Sequence, residues 1–121
     1  MLTTSLKILN TPVIRFSEGD TIIKEGDTGS KVYVLLKGSV TVSRQNMPIA
    51  SIDTSGEVFG EIATVLGKNY GATVTAAGES TLFIIDNFQT FIRQNPDESW
   101  AIIRMLCSRI DQTTNKLLSI G

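Results

Sequence analysis

Short runs of branched and aromatic residues, cut by Gly, Asp, Asn and Ser, fill the chain from about residue 12 to residue 86. TIIK, KVYVLLKG, SVTVSRQ, PIASID, ATVTA and STLFIID are each of strand length, and turn formers bound each of them. No helical stretch long enough for a parallel crossover separates these runs, so the pattern predicts an antiparallel sandwich, barrel or roll. Glu18-Gly19-Asp20 and Glu25-Gly26-Asp27, seven residues apart, read as turns in which Gly takes a positive φ and Asp bonds nearby amides.

From residue 87 to about 119 the period changes to that of helices. NFQTFIRQ reads as a short helix, and NPDESWAIIRMLCSRIDQTTNKLLSIG as a long one. In the long helix Asn95 is placed to cap, Pro96 suits the first turn, and Asp97 and Glu98 favour the positive end of the dipole. Ile103, Leu106, Ile110, Thr113, Leu117 and Ile120 recur at steps of three and four, and only Thr113 interrupts the apolar seam. Two uses fit it. In the first turns Trp100, Ile102, Ile103 and Leu106 form a broad face suited to the chain's own β core. Further on, a narrow stripe flanked by Arg109, Asp111, Asn115 and Lys116 predicts a homodimer through this helix, with Thr113 as a register-setting polar residue.

Phe59 to Ala76, FGEIATVLGKNYGATVTA, breaks the β pattern with a strand end, a Gly turn, a short helix, a polar Gly-bearing loop and a further strand. Gly60-Glu61 opening a helix leaves backbone N–H groups unpaired, an arrangement that favours an anion. The stretch holds no arginine.

Composition narrows the function classes. The 121 residues suit one domain with one core. A net charge of −1 with interspersed signs offers no basic stripe for nucleic acid, and the length leaves no room for a helix-turn-helix after the long helix, so direct DNA binding is not expected. No stretch is long and apolar enough to span a membrane and no basic leader precedes an apolar run, which predicts a cytoplasmic protein. Cys107 is the single cysteine and histidine is absent, so no metal site and no nucleophile–base pair is predicted, and the chain reads as no enzyme.

The ordered series Phe16-x-x-Gly19-x-x-Ile22, Gly26-Asp27, Tyr33, Gly38-x-Val40-x-Val42, Gly56 and Phe59-Gly60-Glu61-Ile62-Ala63 resembles the cyclic nucleotide-binding domain family, over about residues 10 to 118. That resemblance implies a mainly β protein with flanking helices, an antiparallel β-roll resembling a jelly roll, followed by a long C-terminal helix. It also implies a ligand of the cAMP or cGMP kind held in a phosphate-binding cassette. By analogy Glu61 accepts from the ribose hydroxyl, Gly60 lets the backbone approach the sugar-phosphate, and amides around Ile62 and Ala63 donate to the cyclic phosphate. Thr113 and Thr114 match a helix hydroxyl pair that meets the purine in catabolite-activator-type members.

The family's Pro-Arg pair falls on Asn69-Tyr70, with Gly71, Ala72 and Thr73 following. A phenol offers one uncharged hydroxyl where a guanidinium offers a fork of charged donors. Losing such a bidentate pair weakens binding by roughly a hundredfold or more. Three substitutes are open: Lys68 as a point charge, the Tyr70 ring filling the phosphate space with its hydroxyl donating to Glu61, or a ligand carrying less negative charge. The expected function is a regulatory sensor module in which ligand entry repositions the long helix against an unknown protein partner. The alternative is a ligand-free dimerisation or interaction scaffold closed by Tyr70.

Overall fold

A computed structural model describes residues 12–120. Among these residues eight strands form two four-stranded sheets in which every pairing is antiparallel: β1 (Val13–Phe16), β2 (Thr21–Ile23), β3 (Val32–Lys37), β4 (Val40–Arg44), β5 (Met47–Ile52), β6 (Val58–Phe59), β7 (Thr73–Ala76) and β8 (Ser80–Ile85). The first sheet orders β1-β8-β3-β6 and the second β2-β7-β4-β5. The short helix α1 (Glu61–Leu66) lies between β6 and β7, while α2 (Phe88–Gln94) and α3 (Pro96–Ile120) follow β8. The roll and its C-terminal helix are those expected. The strand Val13–Phe16 is an addition, its exposed residues concealing any alternation.

The continuous apolar run of β3 has a direct cause. Tyr33 and Leu35 face the second sheet with Leu82, Ile84 and Phe59, whereas Val32 and Val34 face the helices with Phe83, Ile85, Phe88, Phe91 and Ile102. A strand buried on both faces needs apolar residues at every position. The first sheet is thus the middle of three layers.

Two expectations for α3 are corrected. Asn95 does not cap it with its side chain: Nδ2 donates to the Phe91 carbonyl at 2.9 Å and closes the end of α2, while the Asn95 carbonyl accepts from the Ser99 amide at 2.9 Å. Nor do the first turns bury one broad face. Ile102 is buried, and Leu106 packs against the core, but Trp100 and Ile103 are 61% and 45% exposed. A helix on a gently curved surface buries only its nearest row of side chains, here Ile102, Met105 and Leu106. Ile110 continues the outward stripe, and the seam residues Leu117 and Ile120 lie outside the described side chains.

Candidate functional site

The chain leaves the first sheet at β6 and re-enters the second at β7, so the segment between them bridges the two sheets at one end of the roll. There it encloses a cavity of about 300 Å³. The positive φ of Gly60, 84°, turns the backbone from β6 into α1, and a Cβ at Gly60 would stand 2.9 Å from the Lys31 carbonyl oxygen and 3.3 Å from Ile23 Cδ1. Glycine is therefore required by packing against the roll as well as by the turn. Gly67, with φ 67°, ends α1 in the left-handed conformation.

Of the residues singled out from sequence, Phe59, Gly60, Glu61, Ile62, Ala63, Lys68, Tyr70, Gly71 and Ala72 line this cavity. Thr73 is not part of the lining; its hydroxyl accepts from the Glu25 amide at 3.0 Å and ties the turn before β3 to β7. Thr113 and Thr114 are also outside it. Both are exposed, and Thr113 donates back to the Arg109 carbonyl of its own helix at 3.0 Å. The described chain alone does not bring the hydroxyl pair to the ligand site.

Tyr70 is buried, and its hydroxyl does not reach toward Glu61. It donates to the Lys31 carbonyl at 2.7 Å and accepts from the Lys31 and Ser30 amides at 3.0 and 3.3 Å. The Tyr70 backbone is clamped as well, donating to Asp27 O at 2.8 Å and accepting from Gly26 N at 2.9 Å. The Glu25-Gly26-Asp27 turn thus holds the cassette at the residue where the arginine was missing. Next to it Gly29 donates to the Lys68 carbonyl at 3.1 Å, and a Cβ on Gly29 would sit 2.5 Å from Ala63 Cβ.

Glu61 finds its partner elsewhere. Its carboxylate is buried and accepts from Arg109 Nη1 of α3 at 3.3 Å. The same guanidinium donates to the Glu57 carboxylate and, at 2.7 Å, to the Val58 carbonyl. Arg109 flanks the helical seam, and it is also the point at which α3 grips the cassette. Burial pushes the Glu61 carboxyl above the usual carboxylate range, with its own backbone amide and Arg109 pulling it down and Glu57 adding to the rise.

The native state therefore holds the Glu61 proton more tightly than the unfolded chain does, and its contribution to stability falls as pH rises through the folded-state value. Glu61→Gln removes that titration. The stability of the variant relative to the parent, measured by urea unfolding, is expected to increase as pH is taken from about 4 to about 7. Parallel pH profiles would show that Glu61 is not the group responsible.

A cation that sequence reading passed over also lines the cavity. Val42 and Arg44 project into it from β4, two residues apart and so on one face of the strand. Arg44 Nε donates to the Gly71 carbonyl at 2.9 Å. That alternation was present in SVTVSRQ as Val40, Val42, Arg44, an apolar face that ends in a charge. Among the described residues no group of acidic, histidine or cysteine side chains is arranged to hold a metal ion.

Comparison with known proteins agrees with this architecture. The family model for the cyclic nucleotide-binding domain matches residues 13–95. A cGMP-dependent protein kinase, isozyme 2, of Drosophila melanogaster is 37% identical over 81 residues, covering 65% of this chain and 7% of the kinase. The cAMP-dependent protein kinase regulatory subunit of Dictyostelium discoideum is 29% identical over 106 residues, 82% of this chain and 28% of that protein. The chain thus spans a small part of these relatives' length. In fold it is similar to the catabolite activator protein of Thermus thermophilus, with TM-score 0.77 and 21% identity over 94% of this chain and 56% of that one.

Proposed function

The chain belongs to the cyclic nucleotide-binding domain family, and from that premise we propose that it is a regulatory module whose cavity takes a cyclic nucleotide such as cAMP or cGMP and whose output is the position of α3. One observation carries the proposal: the carboxylate expected to receive the ribose hydroxyls, Glu61, is held by Arg109 of α3. A ligand that hydrogen-bonds Glu61 competes with Arg109, so occupancy of the cavity and docking of the helix become linked through one side chain. The volume of about 300 Å³ lies at the lower end of the range for small-molecule sites, about 300–1,000 Å³.

The closed-scaffold alternative has less support, because the Tyr70 hydroxyl is engaged by Lys31 and Ser30 and the cavity persists beside it. The module is read as binding rather than catalytic: among the described residues Glu61 is the one carboxylate in the lining, and phosphodiester hydrolysis requires an acid–base pair or metal ions. Trp100, Ile103 and Ile110 face outward on α3, which supports pairing of two copies, or of one copy with another chain, along that stripe. A cytoplasmic setting fits this reading; among the described residues no helix is long and apolar enough to cross a membrane.

Thermal melts with cAMP and cGMP test the proposal. A nucleotide at 100 times its Kd is expected to add about 2.7 kcal/mol to the unfolding free energy. An unmoved melt with both nucleotides at millimolar concentration overturns it.

A further inference from the structure

Resting on the nucleotide-binding reading above, we infer that Arg44 is the residue that receives the ligand's phosphate, delivering a guanidinium to the cavity from β4. The charges of the lining favour an anion. Among the described residues it holds two cations, Arg44 and Lys68, against one carboxylate, Glu61, and that carboxylate is already countered by Arg109. A singly charged phosphodiester balances such a cavity better than a neutral ligand does.

Of the two cations, Arg44 is the one built into place. It is the last residue of β4, pairs with Met47 across the β4–β5 hairpin, and precedes a two-residue turn in which Gln45 and Asn46 both take positive φ, 51° and 65°. The Gln45 amide donates to the Glu25 carboxylate at 3.0 Å, which fastens the turn to the loop before β3; Glu25 forms no ion pair with Arg44. On the side chain itself, Nε is anchored to the Gly71 carbonyl, immediately after Tyr70. Both Nη groups then remain free of hydrogen bonds to the described residues, and a guanidinium with one edge fixed presents the other as a parallel pair of donors. Gly71 keeps this place open, since a Cβ there would touch Arg44 Nη2 at 3.4 Å. Lys68, by contrast, lies on a loop that follows the Gly67 cap, and no hydrogen bond or ion pair to the described residues fixes its ammonium group.

The test compares the parent chain with R44Q, R44K and K68Q by calorimetric titration with cAMP and with cGMP, alongside melts without ligand. R44Q is expected to bind the nucleotide at least about tenfold more weakly, R44K to fall between R44Q and the parent, and K68Q to change affinity less than R44Q. Ligand-free melts of R44Q are expected to match the parent, because Arg44 is exposed and the Gly71 carbonyl it releases belongs to an exposed residue. Nucleotide binding by R44Q within about twofold of the parent overturns the assignment and leaves the nucleotide reading standing. A parent chain that binds neither nucleotide overturns both.

Discussion

Tyr70→Ala lowers the unfolding free energy by about 3–5 kcal/mol in urea titrations, the range for deleting a large buried aromatic side chain. The expectation stands on two facts. The ring belongs to the core between the two sheets, and the hydroxyl satisfies the amides of Ser30 and Lys31 together with the Lys31 carbonyl. Tyr70→Phe separates these contributions: it keeps the ring, leaves the Lys31 N–H and C=O without their partner, and costs about 1–3 kcal/mol. A loss below about 1 kcal/mol for the alanine variant would mean that the cassette is not held through this residue. Tyr70→Arg is expected to be destabilising for the same reason, since a guanidinium has no acceptor for the Ser30 and Lys31 amides.

Arg109→Gln is the second large effect. It leaves the Glu61 carboxylate buried without its countercharge, which costs about 1–3 kcal/mol, with the lower half of that range favoured because the Arg109 side chain is 34% exposed and Glu57 reaches solvent. The double variant with Glu61→Gln is expected to recover most of the loss, a coupling of about 0.5–3 kcal/mol read from the four-member cycle. Nucleotide affinity is expected to move the other way and increase in Arg109→Gln, because Glu61 no longer has to be released from the helix before it meets a ribose. Additive stabilities in the cycle, together with unchanged affinity, would remove the link between cavity and helix.

The roll was legible because its inner strands carry an unmistakable pattern. Val32 to Leu35 and Leu82 to Ile85, the middles of KVYVLLKG and STLFIID, are buried on both faces, so each of these positions is apolar, and Gly19, Gly26, Gly38, Gly56 and Gly60 all take the positive φ at which turns favour glycine. Val13–Phe16 was not legible, being an edge strand whose residues are mostly exposed. At the site, contiguity decided what could be read. Phe59 to Ala72 fold locally into one cup, and a single chain segment displays them in order. The partners that complete the site arrive from afar: Arg109 lies 48 residues from Glu61, and the phenol of Tyr70 bonds the backbone of Lys31, 39 residues away. Backbone acceptors such as Lys31 O carry no residue-type signature, so sequence alone could not choose them over Glu61 as the target of the phenol. Arg44 was within reach, since a strand's two-residue period ties it to Val42.

The outward stripe on α3 has an optical consequence. Trp100 is the single tryptophan of the chain, lies 61% exposed at the start of that helix, and is absent from the cavity lining. Its indole emission therefore depends on what covers the helix rather than on direct contact with a bound nucleotide. The protein thus carries an intrinsic fluorophore on the element proposed to move, and no label has to be attached to watch it.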